Sequence, residues 1–171
     1  MRPRDFNLRS LYTALDSQRQ ARGLSWAQAT REINRQNERS SAHSLSPSTI
    51  SGLPRRKMAE GDGVLQMLLW LNRTAESFVP GYPESQEFST RLPEVPPHKL
   101  LRFDTRKLHA AVDARRIQKK VNWAQAAKEI GVGASSLTHL SDGGRTGFPQ
   151  VMRIVQWLGR PAADFTRLTD R

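Results

Sequence analysis

The octapeptide WAQATREI at residues 26–33 recurs as WAQAAKEI at residues 123–130, 97 positions further along the chain. The same shift continues upstream, where it aligns further identical residues, beginning with Phe6 and Phe103. A helix start that is repeated together with its upstream residues indicates an internal duplication. The chain therefore consists of two related units.

The match resumes downstream after a change of register. VLQMLLWLNRTAESF at 64–78 aligns with VMRIVQWLGRPAADF at 151–165 at a shift of 87, so the four tryptophans of the chain form two equivalent pairs. The difference between the shifts, 97 − 87 = 10, means that the first copy carries ten extra residues. They fall in the polar run NRQNERSSAHSLSP at 34–47, which predicts an insertion between the second and third helices of that copy.

Proline density separates the two copies. Five of the ten prolines lie between residues 80 and 97, and such density stops helices and favours extended chain. We therefore expect two domains, at 1–79 and 100–171, joined by a proline-rich linker at 80–99. Docking on a neighbouring domain would turn this linker into a strap, and its candidate anchors are Phe88, Leu92 and Val95.

The charge is concentrated in the two units. The net charge is +5 over residues 1–80, −1 over 81–99 and +7 over 100–171, which sums to the +11 of the chain. Two basic units with a nearly neutral connector favour nucleic-acid binding, although anionic membranes and acidic proteins are alternatives. The absence of cysteine excludes disulfides, and no apolar run is long enough to span a membrane. We expect a cytoplasmic, nucleoid-associated protein.

Within each unit the apolar residues follow a helical period, and no alternating run predicts a strand. In the second copy, Asp104 and Asn122 are predicted to cap the first two helices, and Gly131 suits the tight turn that follows. A short third helix through Leu140 comes next, and the remainder of the copy predicts a fourth helix and a fifth, at 148–159 and 160–168. The predicted class is therefore all-α, with five helices in each unit.

The second copy, NWAQAAKEIGVGASSLTHLSDGG followed by GFPQVMRIVQWLGRPAADF, resembles the phage-repressor class of DNA-binding domains. This is the Cro and lambda-repressor-like family, also called the xenobiotic-response-element family. The resemblance covers most of 104–168 without gaps, and in the first copy roughly 7–78 apart from the insertion. It implies two tandem five-helix helix-turn-helix domains that bind double-stranded DNA sequence-specifically, with the third helix in the major groove.

The same resemblance assigns base-reading positions to the start and the sixth residue of each third helix. Their hydroxyls, methyl group and imidazole suit several bases, with modest discrimination. For His139 the alternative is an exposed histidine without a partner. In the first copy Pro47 and Gly52 leave few side chains that can read bases. The base-reading candidates are Ala134, Ser135, Thr138, His139, Ser48 and Ser51.

Backbone contacts are assigned to cations and tryptophans. The triplet Arg55, Arg56 and Lys57 follows the third helix of the first copy, and Arg145 lies after that of the second. Where the family often places a glutamine against a phosphate, both copies have a tryptophan, Trp26 or Trp123. The indole N–H can reach a phosphate, or the ring can pack over the third helix, and burial energies favour packing. The other pair, Trp70 and Trp157, is predicted to be core.

No motif predicts an enzyme, a metal site or a cofactor. The glycine-containing runs EGDG at 60–63 and SDGG at 141–144 are interpreted as equivalent turns. Three functions stay open. The favoured one is a transcriptional regulator, in particular a repressor, with both units on one operator. The alternatives are an interaction module whose second unit holds DNA while its first unit docks a protein partner, and a nonspecific architectural or RNA-binding protein. A homodimer through the linker's apolar residues is also compatible with the sequence.

Overall fold

A computed structural model describes residues 2–35, 44–82 and 91–170. Within these residues, the chain is mostly helical, as predicted, and contains eight α-helices and four short strands. The first unit contains α1 (Leu8–Ala21), α2 (Trp26–Asn34), α3 (Pro47–Ser51), β1 (Ala59–Glu60) and α4 (Gly61–Leu71). The second contains β2 (Lys99–Phe103), α5 (Thr105–Gln118), α6 (Trp123–Ile130), α7 (Ala134–Thr138), β3 (Gly147–Phe148), α8 (Gln150–Leu158) and β4 (Thr166–Asp170). Short 3-10 turns follow α3, α4, α7 and α8, at Leu53–Arg55, Glu76–Phe78, His139–Asp142 and Ala162–Phe165.

The helix starts follow the capping signals of the sequence. Ser25 and Gln28 form a complete capping box, with Ser25 N donating to Gln28 Oε1 at 2.8 Å and Gln28 N donating to Ser25 Oγ at 3.1 Å. Asp104 accepts the Lys107 amide at 3.0 Å and so caps α5. Gly131 ends α6 at a φ of 85°, a left-handed conformation that glycine adopts without a Cβ penalty.

The predicted fifth helix of the second unit is wrong. Residues 160–168 instead form a 3-10 turn and the start of β4, which pairs antiparallel with β2 from Lys99↔Asp170 to Phe103↔Thr166. The prediction failed because tertiary contacts override local propensity in short segments. Leu101 and Phe103 of β2 are buried, and pairing with β4 satisfies the backbone groups of this buried segment. Lys99, which was predicted to belong to the linker, is the first residue of β2.

The run EGDG is not a turn equivalent to SDGG, as the sequence had suggested. The Glu60 carboxylate accepts the amides of Asp62 and Gly63, so this run is the cap and first turn of α4. SDGG ends the 3-10 turn after α7, with Gly143 at a φ of 71°. The shift of 87 in this part of the repeat places Glu60 opposite Gly147, not opposite Ser141.

The two units pair with each other through β1 and β3, in the register Ala59↔Phe148 and Glu60↔Gly147. At the shift of 87, Glu60 and Gly147 are equivalent positions of the repeat. A residue that faces its own equivalent lies on a local two-fold axis, as at the contact between two identical subunits. The chain thus builds within itself the kind of interface that a symmetric dimer forms between two chains.

The N-terminal segment of each unit crosses to the other unit. Arg4 N donates to Gln156 Oε1 at 2.9 Å, and Gln156 Nε2 returns a bond to Arg4 O at 2.7 Å. In the other direction, Gln66 Nε2 of α4 donates to Leu101 O at 3.2 Å. These reciprocal crossings join both units into one cluster of buried residues. Their spacing is therefore set by packing and does not depend on the linker alone.

One large side chain fills the centre of this shared core. Phe148 is fully buried, and its ring centroid lies 4.7 Å from that of Phe6 and 5.6 Å from that of Phe103. Its equivalent in the first unit is Gly61, where a Cβ would lie 2.7 Å from Thr146 O and 3.0 Å from the Phe103 ring. The space beside the two-fold axis accommodates only one phenylalanine ring. The equivalent positions 61 and 148 therefore hold different residues.

Two of the three linker residues that were predicted to dock on a neighbouring domain do contact the core. Leu92 and Val95 are partly buried against the core. Phe88 and the middle of the insertion, residues 36–43, lie outside the described residues. Among the helices of the described part, none is both long and apolar enough to cross a membrane.

Candidate nucleic-acid interface

The third helix of the second unit presents its polar side chains to solvent. Leu137 and Leu140 are buried and fix the inner side of this segment. The predicted reading residues lie on the outer side, and all four are exposed: Ala134, Ser135, Thr138 and His139. Because the buried leucines anchor the segment, these outer side chains have a defined orientation relative to the rest of the unit.

The helix is shorter than predicted. It ends at Thr138, and His139 begins a 3-10 turn instead of continuing the helix. His139 also has a partner, because its Nδ1 lies 3.2 Å from Asp142 Oδ2. The alternative of a histidine without a partner is therefore wrong, although both side chains are largely exposed. Thr138 Oγ1 donates to the Ser135 carbonyl at 3.0 Å.

The third helix of the first unit presents fewer side chains that could contact bases. Ser46 caps it and accepts the Thr49 amide at 3.2 Å, Pro47 occupies its first position, and Gly52 ends it. Ser48 is exposed, but its hydroxyl lies 2.9 Å from that of Ser46, and Ser51 is only partly exposed. This surface therefore has two short hydroxyl groups where α7 has two hydroxyls, a methyl and an imidazole.

The tryptophans that begin α2 and α6 pack, as favoured, but on the first helix of their unit. Trp26 stacks on Tyr12 with ring centroids 5.5 Å apart, and Arg19 lies over its ring at 4.8 Å. In the second unit Trp123 stacks on His109 at 4.9 Å, with Arg116 also at 4.9 Å. These stacking partners, Tyr12, Arg19, His109 and Arg116, were not predicted. The signal was available, since each pair is separated by 97 residues.

In the second pair, each tryptophan is only partly buried, so the expectation of core residues is too simple. Trp70 Nε1 donates to Glu32 Oε2 at 3.1 Å, and Trp157 Nε1 donates to Glu129 Oε2 at 2.9 Å. The hydrogen bond from Trp70 and then that from Arg22 lower the pKa of the Glu32 carboxyl. For Glu129, Lys119 contributes most to the lowered pKa, followed by Trp157. Each unit thus repeats a tryptophan–glutamate–cation cluster at the edge of its core.

The three cations of the basic loop, which we define as Arg55–Met58, are exposed. Within the described residues, neither Arg55, Arg56 nor Lys57 forms a salt bridge. Arg145, the predicted backbone contact of the second unit, is exposed as well. The three loop cations, which form no salt bridge within the described residues, are available to an anionic ligand.

Two clefts lie between the basic loop and the second unit. The larger, of about 1030 Å³, has Arg56 and Lys57 on one side and Gly133 and Ser136 on the other. The smaller, of about 420 Å³, is bordered by Met58, Arg145 and the same α7 segment, at Ser136, His139 and Leu140. The loop of the first unit therefore lies beside the predicted reading helix of the second.

One carboxylate is buried at the contact between the units. Glu76, in the turn after α4, is 4% exposed and accepts the Ala162 amide of the second unit at 2.6 Å. Burial raises the pKa of Glu76, while the Ala162 hydrogen bond opposes the shift and Asp164 adds to it. The described residues contain no cluster of three or more histidine, aspartate or glutamate side chains suited to a metal ion.

No family model, curated protein or solved structure matches this chain.

Proposed function

We propose that this chain is a sequence-specific, double-stranded DNA-binding transcriptional regulator, and in particular a repressor, in which two helix-turn-helix units act on one operator. The observation that carries the proposal is the pairing of equivalent positions, Glu60 with Gly147, between the two units. We infer that the two-fold axis at this pairing also relates the helix pairs α2–α3 and α6–α7, because they belong to equivalent parts of the repeat.

The two-fold relation supports DNA as the partner because duplex DNA has local two-fold axes of its own. A protein with two recognition helices related by such an axis can place them in successive major grooves of one face of the duplex. Dimeric repressors obtain this arrangement by self-association. Here one chain supplies both helices, so binding does not require a second copy.

The chemistry of the surface agrees with this partner. The net charge of +11 supplies the counterion release that drives nucleic-acid binding. The exposed Ser135, Thr138 and His139 provide donors and acceptors for base edges. The turn between α6 and α7 is short because Gly131 adopts a positive φ, and this tight connection is typical of helix-turn-helix units.

The test is selection of bound sequences from a random pool of duplex DNA by the full chain, followed by affinity measurements at several salt concentrations. We expect an enriched motif that is bound 10³-fold or more over random DNA, on the order reported for specific regulators. Binding without enrichment would support a nonspecific architectural role. Lack of binding to duplex DNA would refute the proposal, and the interaction-module alternative, whose second unit also holds DNA, would fail with it.

A further inference from the structure

The two units are unequal in complementary ways. At the shift of 87, the cations of the basic loop correspond to Asp142, Gly143 and Gly144 of the second unit. The first unit therefore has cations beside a third helix that is poor in reading side chains, whereas the second has reading side chains and no cations at the matching places. Of the four cations predicted to contact the DNA backbone, the first unit supplies three and the second only Arg145.

The basic loop lies close to the second unit. It runs directly into β1, whose Ala59 pairs with Phe148 across the two-fold axis. A Cβ placed on Gly147 would lie 3.1 Å from Met58 Cε, so the end of the loop is already packed on the second unit. Both clefts between the units are bordered by this loop and by Ser136 of α7.

We propose that the basic loop serves the half-site of the other unit: Arg55, Arg56 and Lys57 contact the DNA backbone beside the base pairs that α7 reads. The inference rests on the proposed function and specifies which unit supplies each part of the DNA-binding surface. One composite half-site takes its base-reading side chains from the second unit and its phosphate contacts from the first.

Electrostatics supports phosphate as the ligand of this loop. Its three cations have no salt bridges within the described residues, whereas Arg153, which also borders the larger cleft, is engaged. Arg153, on the far side of the cleft, is paired with Asp5 at 2.5 Å. A helix that enters the major groove is flanked by sugar-phosphate backbone, and contacts to that backbone fix the orientation of the helix without reading sequence. Cations beside α7 suit that task.

The absence of cysteine from the chain makes a direct test feasible. Three full-length variants, Lys57→Cys, Ser135→Cys and Ser48→Cys, each carry one cysteine to which an iron chelate that cleaves nearby DNA is attached. Each is bound to the motif enriched from the random pool, and its cleavage positions are mapped. We expect the Lys57→Cys pattern to overlap that of Ser135→Cys. Overlap with the Ser48→Cys pattern alone would overturn the inference.

A second measurement distinguishes direct phosphate contacts of the basic loop from a general effect of the positive charge of the protein. Replacing Arg55, Arg56 and Lys57 together by glutamine should lower the slope of log K against log salt by up to about 2.7, or about 0.9 for each lost phosphate contact. The matched control replaces three other exposed cations that border neither cleft, Arg73, Arg91 and Arg160, and should leave the slope nearly unchanged.

The outcomes distinguish this inference from the proposed function. If the unmodified chain binds no duplex DNA, the proposed function fails and this inference fails with it. If the chain binds its motif but the triple variant keeps the slope, only the inference fails. DNA cleavage by the Ser135→Cys conjugate without any by the Lys57→Cys conjugate would also overturn it, and would leave the loop available to an acidic protein partner.

Discussion

The two units share one helical frame but differ at the places where each meets the other unit and where each is proposed to meet DNA. Their capped helix starts, tryptophan stacks and tryptophan–glutamate clusters repeat almost position by position. At the two-fold axis, by contrast, the position that holds Phe148 in the second unit holds Gly61 in the first. The reading helices α3 and α7 also carry different side chains. Duplication in one chain removes the requirement that equivalent positions be identical. Each copy can then specialise while the frame is preserved.

The largest expected effect comes from the unequal pair at the axis. Phe148→Ala should lower the free energy of unfolding by about 3–5 kcal/mol, because it removes a fully buried ring that packs on both Phe6 and Phe103. Gly61→Ala should also destabilise, by about 1–3 kcal/mol, since its Cβ would meet Thr146 O.

Urea unfolding of both variants measures these effects. The control is Gly144→Ala, because a Cβ there meets no atom within 4 Å, and its effect should stay within about 0.5 kcal/mol. If Gly61→Ala is as harmless as this control, the axis has room for both side chains and the proposed cause of the asymmetry is wrong.

The next effect concerns the reading surfaces. Replacing Ser135 and His139 together by alanine should reduce the preference for the enriched motif by about 1–3 kcal/mol per lost specific contact, with little change in nonspecific binding. The matched variant in the first unit, with Ser48 and Ser51 replaced, should change the preference far less. Competition between motif and random DNA gives the ratio, and equal losses in the two variants would contradict a division of labour.

The buried Glu76 gives a smaller, pH-dependent effect. Its pKa is raised by burial, so the folded protein holds this proton more tightly than the unfolded chain. Stability from this source is fully present below the unfolded pKa, about 4.3, and is lost as the pH rises towards the raised folded pKa. Glu76→Gln keeps an oxygen for the Ala162 amide and cannot ionise. Its stability relative to the unmodified chain should therefore increase as the pH rises above about 4.5.

Denaturant unfolding from pH 4 to pH 8 follows this difference. Glu76→Ala provides the contrast, since it also cannot ionise but leaves the Ala162 amide without an acceptor, and it should be less stable than Glu76→Gln by about 1–3 kcal/mol at every pH. A difference between Glu76→Gln and the unmodified chain that is constant with pH would show that this carboxyl titrates alike in the folded and unfolded states.

The smallest expected effect concerns the tryptophan–glutamate–cation clusters, which are alike in the two units. The pKa of Glu32 is lowered mainly by its hydrogen bond from Trp70, and that of Glu129 mainly by Lys119. Lowered pKa values stabilise the fold above the unfolded pKa, and this contribution disappears as the pH falls below about 4.3. Glu32→Gln and Glu129→Gln should each cause a small loss at pH 7 that vanishes in acid. Thermal unfolding checks this, and a large difference between the two variants would show that the clusters are not equivalent.

Local sequence signals predict the repeat, most of its helices and most of their ends. Capping and turn residues such as Ser25, Asp104 and Gly131 act over one helical turn, so their effects can be predicted without knowing the rest of the fold. The candidate reading positions of the third helix come from the family resemblance, and the local pattern accounts only for their exposure. Their exposure follows from the helical period, which places Leu137 inward and Ser135 outward.

Features that depend on contacts between distant residues could not be predicted from local patterns. The segment 160–168 reads as a helix locally, yet part of it becomes a strand because the buried segment at 99–103 needs a hydrogen-bonding partner. The pairing of Glu60 with Gly147 and the position of the basic loop beside α7 depend on how two whole units pack. No local pattern encodes that contact, because its energy comes from side chains such as Phe6, Phe103 and Phe148, which lie far apart in the chain and meet only in the folded protein.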